Sequence, residues 1–143
     1  MALVRVLVVD DYEPFRRFIC STLRKKPDLH VICEVSDGLK AVQKAQELRP
    51  DLILLDIGLP TLNGIEAARQ IRQLTPAKII FVSSESSPEV VNEALNLGAL
   101  GYILKTGVAS ELSAAVEAVR QGRVFVSGSL VHDYLRLRTG ERY

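Results

Sequence analysis

The run "DLILLD" at residues 51 to 56 is apolar without a break between two carboxylates. A half-exposed strand alternates polar and apolar side chains, so unbroken apolarity over so short a run marks a parallel strand covered on both faces. Parallel neighbours in turn need crossover connections, usually helical. The flanking sequence supplies both parts. Runs rich in β-branched residues recur at "VRVLVV" (4 to 9), "HVICEV" (30 to 35), "KIIFVSS" (78 to 84) and "GYILK" (101 to 105). After each strand come apolar residues at helical spacing: first Phe15, Phe18, Ile19, Thr22 and Leu23, then Ala41, Val42, Ala45 and Leu48. Ile65, Ala68 and Ile71 mark a third helix, Val91, Ala94 and Leu95 a fourth, and Leu112, Ala115, Val116 and Val119 a fifth. Pro14 suits a first turn, Asp37 with Gly38 opens the second helix and Pro50 stops it, Pro88 starts the fourth and Gly98 closes it. The fifth is expected from about Ser110, as cap, to Gln121, with Gly122 as its stop. Five such units are too few for an eight-stranded barrel, so right-handed crossovers leave an open, doubly wound, five-stranded parallel α/β sheet with helices on both faces.

Ligands bind such sheets at the carboxyl ends of the strands. Those ends carry Asp10 and Asp11, Asp56, Ser83 with Ser84, and Lys105. Carboxylates gathered at one edge repel each other by roughly 1 kcal/mol per pair at 4 Å in water and about 4 at an intermediate dielectric. A cation relieves this, and Mg2+, which takes oxygen ligands in octahedral geometry, suits the donor set. Lys105 supplies a second positive charge. A carboxylate beside a divalent metal and an ammonium is the arrangement in which an aspartyl phosphate forms. Each residue also has a plainer reading: Asp10 and Asp11 as turn or capping residues, Ser83 and Ser84 as loop hydroxyls, Lys105 as a solvated side chain, Tyr102 as a half-buried strand aromatic with its hydroxyl in water. Their common location at one sheet edge favours the functional reading.

Composition narrows the classes further. The chain of 143 residues fits one domain, and 18 Lys and Arg against 17 Asp and Glu give a net charge of +1, which favours neither nucleic acid nor an anionic membrane. No apolar run reaches the roughly eighteen residues of a membrane span. The opening "MALVRVLVVDDY" lacks the features of a signal peptide, so a cytoplasmic location is expected. Cys20 and Cys33 lie in apolar patterns without metal-ligand spacing and are expected to be reduced core thiols. A dinucleotide site is set aside, because no GxGxxG follows the first strand.

Together, "VLVVDD", "DLILLDIGLPTLNG", "IIFVSS" and "GALGYILK" resemble the receiver domain of two-component response regulators, over about residues 3 to 122. The resemblance implies the CheY-like strand order 2-1-3-4-5. It implies that Asp56 accepts a phosphoryl group from a sensor histidine kinase. Asp11 is then a direct Mg2+ ligand, Asp10 a ligand through water or a partner that supports the ligands, and the Gly58 carbonyl a backbone ligand. Ser83 corresponds to the hydroxyl that turns toward the phosphoryl group, Lys105 to its ionic partner, and Tyr102 to the aromatic switch. Two positions depart from the family's usual pattern. Thr106 stands where a proline normally follows the lysine, which removes the reason for a cis peptide there, and Gly58 carries no side chain where many relatives do.

The stretch "GALGYILKTGVASELSAAVEAVRQGRVFVS" is most similar to the NarL-type regulators, in which a linker leads to a DNA-binding effector and phosphorylation can drive homodimer formation. Residues 1 to 122 are accordingly read as the receiver and 123 to 143 as an extension or linker. In it Leu130, Val131, Tyr134 and Leu135 have helical spacing, with Ser127 or Ser129 as caps, while Arg136, Arg138 and Arg142 read as a solvated face. DNA contact would then come only through an effector outside these residues. The alternatives are a stand-alone receiver acting by protein contact and a Mg2+-dependent phosphohydrolase with Asp56 as nucleophile. A phosphohydrolase of the haloacid-dehalogenase kind wants a second aspartate two residues on, where this chain has Gly58.

Overall fold

Successive residues of a strand point to opposite faces, and in this chain both faces are covered. The computed structural model describes residues 3–131. Its strands are β1 (Val4–Val9), β2 (Leu29–Val35), β3 (Leu52–Leu55), β4 (Lys78–Ser83), β5 (Gly101–Leu104) and β6 (Phe125–Val126). The helices are α1 (Glu13–Arg24), α2 (Gly38–Leu48), α3 (Gly64–Leu74), α4 (Pro88–Asn96) and α5 (Val108–Arg120). Every strand pair is parallel, in the order β2-β1-β3-β4-β5-β6.

Leu7, Val9, Ile53 and Leu55 face one apolar cluster, with Ala41, Ala45, Ala68, Ile71, Val91 and Ala94 of α2, α3 and α4. Val6, Val8, Leu52 and Leu54 face the other, with Ile19, Cys20 and Leu23 of α1 and Leu112, Ala115, Val116 and Val119 of α5. This is the three-layer sandwich expected of the unbroken β3 run. Each fully buried leucine or isoleucine contributes about 2 kcal/mol in area removed from water. Asp37 caps the start it was expected to open, accepting from Lys40 N at 2.8 Å, and two further caps emerge: Asn63 accepts from Glu66 N at 3.0 Å and Ser87 from Val90 N at 3.3 Å.

Four local expectations are corrected. The sheet has a sixth strand: Gly122, at φ +79, turns the chain so that Phe125 N donates to Leu100 O and Ser127 N to Tyr102 O, both at 2.9 Å. A two-residue strand leaves no periodic signal. Ser110 does not cap α5, because a 3-10 turn at Lys105–Gly107 runs directly into a helix that begins at Val108; the Ser110 hydroxyl instead donates to Gly107 O at 3.3 Å. The inward stripe of α1 is Ile19, Cys20 and Leu23, leaving Phe18 43% exposed. Cys33 is only half-buried; Cys20 is fully buried and its thiol is pushed up to about 11, by burial first and then by the Glu34 carboxylate.

No peptide bond is cis among the described residues, so Lys105–Thr106 is trans. Leu130 is buried against the first cluster in a short 3-10 turn at Gly128–Leu130. Tyr134, Leu135, Arg136, Arg138 and Arg142 lie outside the described residues. No helix among the described residues is long and apolar enough to cross a membrane.

Candidate functional site

The strand order places the ends of β1 and β3 side by side, with β4 and β5 beyond. Asp10, Asp11 and Asp56 therefore converge, each offering a carboxylate oxygen within 4.8 Å of the others. Asp10 is 1% and Asp56 6% exposed, whereas Asp11 faces solvent. Lys105 reaches over from the end of β5, its Nζ 2.9 Å from both Asp10 Oδ2 and Asp56 Oδ2. The contact with Asp56 is a hydrogen bond. That with Asp10 is an ion pair without hydrogen-bond geometry, so Asp10 Oδ2 is a buried carboxylate oxygen that accepts no hydrogen bond. The other oxygens are held locally: Asp10 Oδ1 accepts from Tyr12 N at 2.8 Å and Asp56 Oδ1 from Ile57 N at 2.7 Å.

Two residues of α1 complete the cluster without having been singled out in the sequence. The Phe15 ring lies 4.8 Å from Lys105 Nζ, a cation–π contact worth about 0.5 to 2 kcal/mol. Arg16 donates to Asp10 O at 2.8 Å and pairs with Glu34 at 3.1 Å. By period alone Phe15 reads as an ordinary position of an amphipathic helix, and no motif marks Arg16. The available signal was their place in the first turns after a strand end, where a helix starts back beside the site.

The loop between β3 and α3 is held by backbone proximity. An added Cβ at Gly64 would lie 1.9 Å from Asp56 O, and one at Gly38 would lie 1.8 Å from Leu62 O. Gly64 N donates to Ile57 O at 2.7 Å and Gly38 N to Pro60 O at 3.1 Å, so these glycines allow the loop to close beside the Asp56 carboxylate. At Gly58 a Cβ would meet nothing within 4 Å.

Ser83 is buried at the end of β4, its Oγ accepting from Glu85 N at 3.1 Å. Asp56, Ile57, Gly58, Ser83, Ser84 and Glu85 line an open cleft of about 320 Å³. Tyr102 is fully buried, and its hydroxyl donates to Glu85 O at 2.6 Å rather than to water. Burial pushes this phenol up to about 12. The same short loop after β4 is thus held by Ser83 at one peptide and by Tyr102 at another. A cleft of about 370 Å³ at the opposite edge, beside Arg49, Lys78 and Arg120, is a weaker candidate. Its cations are engaged by the Leu74 and Arg120 carbonyls and by Asp28.

Three carboxylates against one ammonium leave two net negative charges in a largely buried place. That excess, with a buried Asp10 oxygen that pairs with the Lys105 ammonium but accepts no hydrogen bond, fits a hard divalent cation held by oxygen donors. Burial raises the Asp10 carboxyl above its ordinary 3.8, and the nearby Asp56 charge adds to this against the opposing pull of Lys105 and Tyr12 N. Burial tends to lower the Lys105 ammonium, but the Asp10 and Asp56 carboxylates beside it outweigh this and hold it above 10.5.

The sign for Asp10 follows from linkage: a carboxyl raised on folding costs stability where it is ionised. Metal-free stability should gain from this group as pH falls through its raised value, the gain ending near 3.8. Asp10→Asn should therefore stabilise the metal-free protein by about 1 kcal/mol at neutral pH and weaken divalent-cation binding. Thermal melts with and without Mg2+ check both; a lower melting temperature in the metal-free variant would contradict it.

A doubly wound parallel sheet with an acidic cluster and a bridging lysine at its carboxyl edge is a CheY-like receiver fold. The family model "Response regulator receiver domain" matches residues 6–117. The transcriptional regulatory protein LiaR of Bacillus subtilis is 41% identical over 121 residues, covering 84% of this chain and 57% of LiaR. A LuxR-family two-component response regulator from Aurantimonas has a similar crystal structure, at TM-score 0.90 and 29% identity over 96% of this chain and 99% of that one. The signal receiver domain of NarL from Mycobacterium tuberculosis aligns at TM-score 0.81 and 31% identity, over 86% of this chain and all (100%) of that one. The chain belongs to the response regulator receiver domain family, and its resemblance is to the NarL type. It spans little more than half the length of LiaR.

Proposed function

We propose that Asp56 accepts a phosphoryl group from a sensor histidine kinase and that the resulting charge resets the loops after β3 and β4. The observation that carries this reading is the Lys105 ammonium 2.9 Å from both Asp56 and Asp10 in a cluster that retains two excess negative charges. Asp56 Oδ1 is fixed by Ile57 N, and Oδ2 is held by a lysine that transfers its hydrogen bond to a phosphoryl oxygen as the new P–O bond forms. The P–N bond of the donor phosphohistidine breaks, and its electron pair returns to the imidazole. Asp10, Asp11, Asp56 and the Gly58 carbonyl would hold Mg2+, which when bound supplies positive charge to the phosphoryl oxygens.

Phosphorylation adds about 1.5 to 2 negative charges and three acceptor oxygens. Ser83 can donate to one of them only by turning from its place beside Glu85 N. Because Tyr102 bonds the Glu85 carbonyl, movement of this loop reaches the tyrosine. The phosphoryl group thus favours one arrangement of a two-state loop, a population shift in which Tyr102 is the reporter. The output is a changed surface for protein contact, homodimer formation included, and in a longer NarL-type regulator a changed DNA-binding effector. On this reading the protein works in the cytoplasm, where its kinase partner would meet it.

Incubation with acetyl phosphate should give a single phosphate adduct in the presence of Mg2+. Removing the metal with a chelator should slow its formation by about a hundredfold or more, since the clustered carboxylates then repel the anionic donor. Intact-protein mass spectrometry over time measures this, and an equal rate without divalent cation would contradict the reading.

A further inference from the structure

The segment after α5 is tied to the turn that carries Lys105. Ser127, 1% exposed, is the knot. Its N–H donates to Tyr102 O at 2.9 Å and its Oγ accepts from Leu104 N at 2.9 Å. The same hydroxyl donates to Glu111 Oε1 at 2.7 Å, and Gly128 N donates to Glu111 Oε2 at 2.8 Å. A Cβ at Gly107 would meet Glu111 Oε1 at 2.3 Å, so the turn leaves the room this carboxylate occupies. Leu130 is buried in the same apolar cluster as Tyr102.

The chemistry of this knot is specific. Leu104 ends β5, and its peptide leads directly into Lys105. A half-buried N–H at a strand end is satisfied here by a hydroxyl, which must itself donate. Glu111 accepts that hydroxyl's hydrogen bond and at the same time holds the next peptide of the segment. Alanine at 127 can neither accept nor donate, whereas threonine can do both.

We propose that Ser127 and Glu111 are positioning residues for Lys105, and that docking of residues 125–130 on β5 is coupled to the phosphorylation state of Asp56. This rests on the function proposed above. The segment holds the β5 backbone at Leu100 O, Tyr102 O and Leu104 N, around Tyr102 and directly before Lys105, so a shift of these residues on phosphorylation changes how firmly it docks. Linkage makes the effect reciprocal: a segment held in place favours one state of the site, and the site in that state favours the docked segment.

The test compares the wild type, Ser127→Ala and Ser127→Thr by backbone amide exchange and by the rate of phosphorylation with acetyl phosphate. Ser127→Ala should speed exchange at Leu104 and Lys105 by about tenfold or more, with β1 and β3 amides still protected. Its maximal phosphorylation rate should fall about three- to tenfold with little change in the half-saturating donor concentration, and Ser127→Thr should restore both measures. Phosphorylating the wild type should change exchange across residues 125–130. Unchanged exchange at Leu104 and Lys105 in Ser127→Ala overturns the positioning role, whether or not Asp56 takes phosphate. An unchanged rate with the segment released, or a phosphorylated wild type with unaltered exchange at 125–130, overturns the coupling. A wild type that takes no phosphate defeats the proposed function and the coupling with it, while the exchange arm still decides the positioning role.

Discussion

The Gly64→Ala protein is expected to lose about 3 kcal/mol or more of folding stability, because the added methyl has no flexible neighbour to displace. Its Cβ would lie 1.9 Å from Asp56 O, 2.7 Å from Ile57 Cα and 2.8 Å from Asp56 C, all backbone atoms. Relief requires moving either the start of α3 or the peptide that follows Asp56. Stability and phosphate acceptance should therefore fall together. Gly58→Ala is the matched control: its Cβ meets nothing within 4 Å, and the change should stay within about 0.5 kcal/mol. Urea denaturation of the two variants and the wild type measures the difference. Equal midpoints for Gly64→Ala and Gly58→Ala would contradict the close approach.

Lys105→Met should have the second large effect, on stability and chemistry together. The substitution leaves Asp10 and Asp56 buried against each other with no ammonium between them. Removing one partner of a buried ionic cluster costs about 3 kcal/mol, most of it the penalty of the charges left behind. Adding Asp10→Asn to the same chain should return much of that loss, since one stranded carboxylate then disappears. Lys105 is held above its ordinary 10.5, so its contribution is complete below that pH and lost as pH rises through the raised value. In Lys105→Met the Asp10 carboxyl loses its opposing cation, and stability should recover as pH falls through its raised value. Melting curves from pH 4 upward, with the double variant alongside, test this; a single variant as stable as wild type at neutral pH would contradict it. Phosphate acceptance should also fall, because the phosphoryl oxygens lose the ammonium that neutralises them.

The site was legible in the sequence because parallel strands collect their carboxyl ends at one edge. Asp10, Asp11, Asp56, Ser83 and Lys105 lie up to 95 residues apart, yet each ends a recognisable apolar run. What escaped the sequence depends on contacts between elements. Gly38 reads as a helix start and Gly64 as the end of the turn-rich "LPTLNG", whereas their need is set by the carbonyls of Leu62 and Asp56. Phe15 sits on a helix face indistinguishable by period from a core face, and its task appears only once Lys105 lies over it. The Tyr102 hydroxyl finds a carbonyl in the loop after β4, which no spacing in "GYILK" encodes. β6 is set by two edge hydrogen bonds and a reversal at Gly122, too little chain to carry an alternating pattern.

The central claim is that Asp56 is the acceptor, and it is tested most directly by intact-protein mass after incubation with Mg2+ and acetyl phosphate, wild type and Asp56→Ala side by side. The account expects one phosphate on the wild type and none on Asp56→Ala, with both proteins folded and melting cooperatively. A phosphate of equal stoichiometry on Asp56→Ala, or none on a wild type shown separately to bind Mg2+, would contradict it.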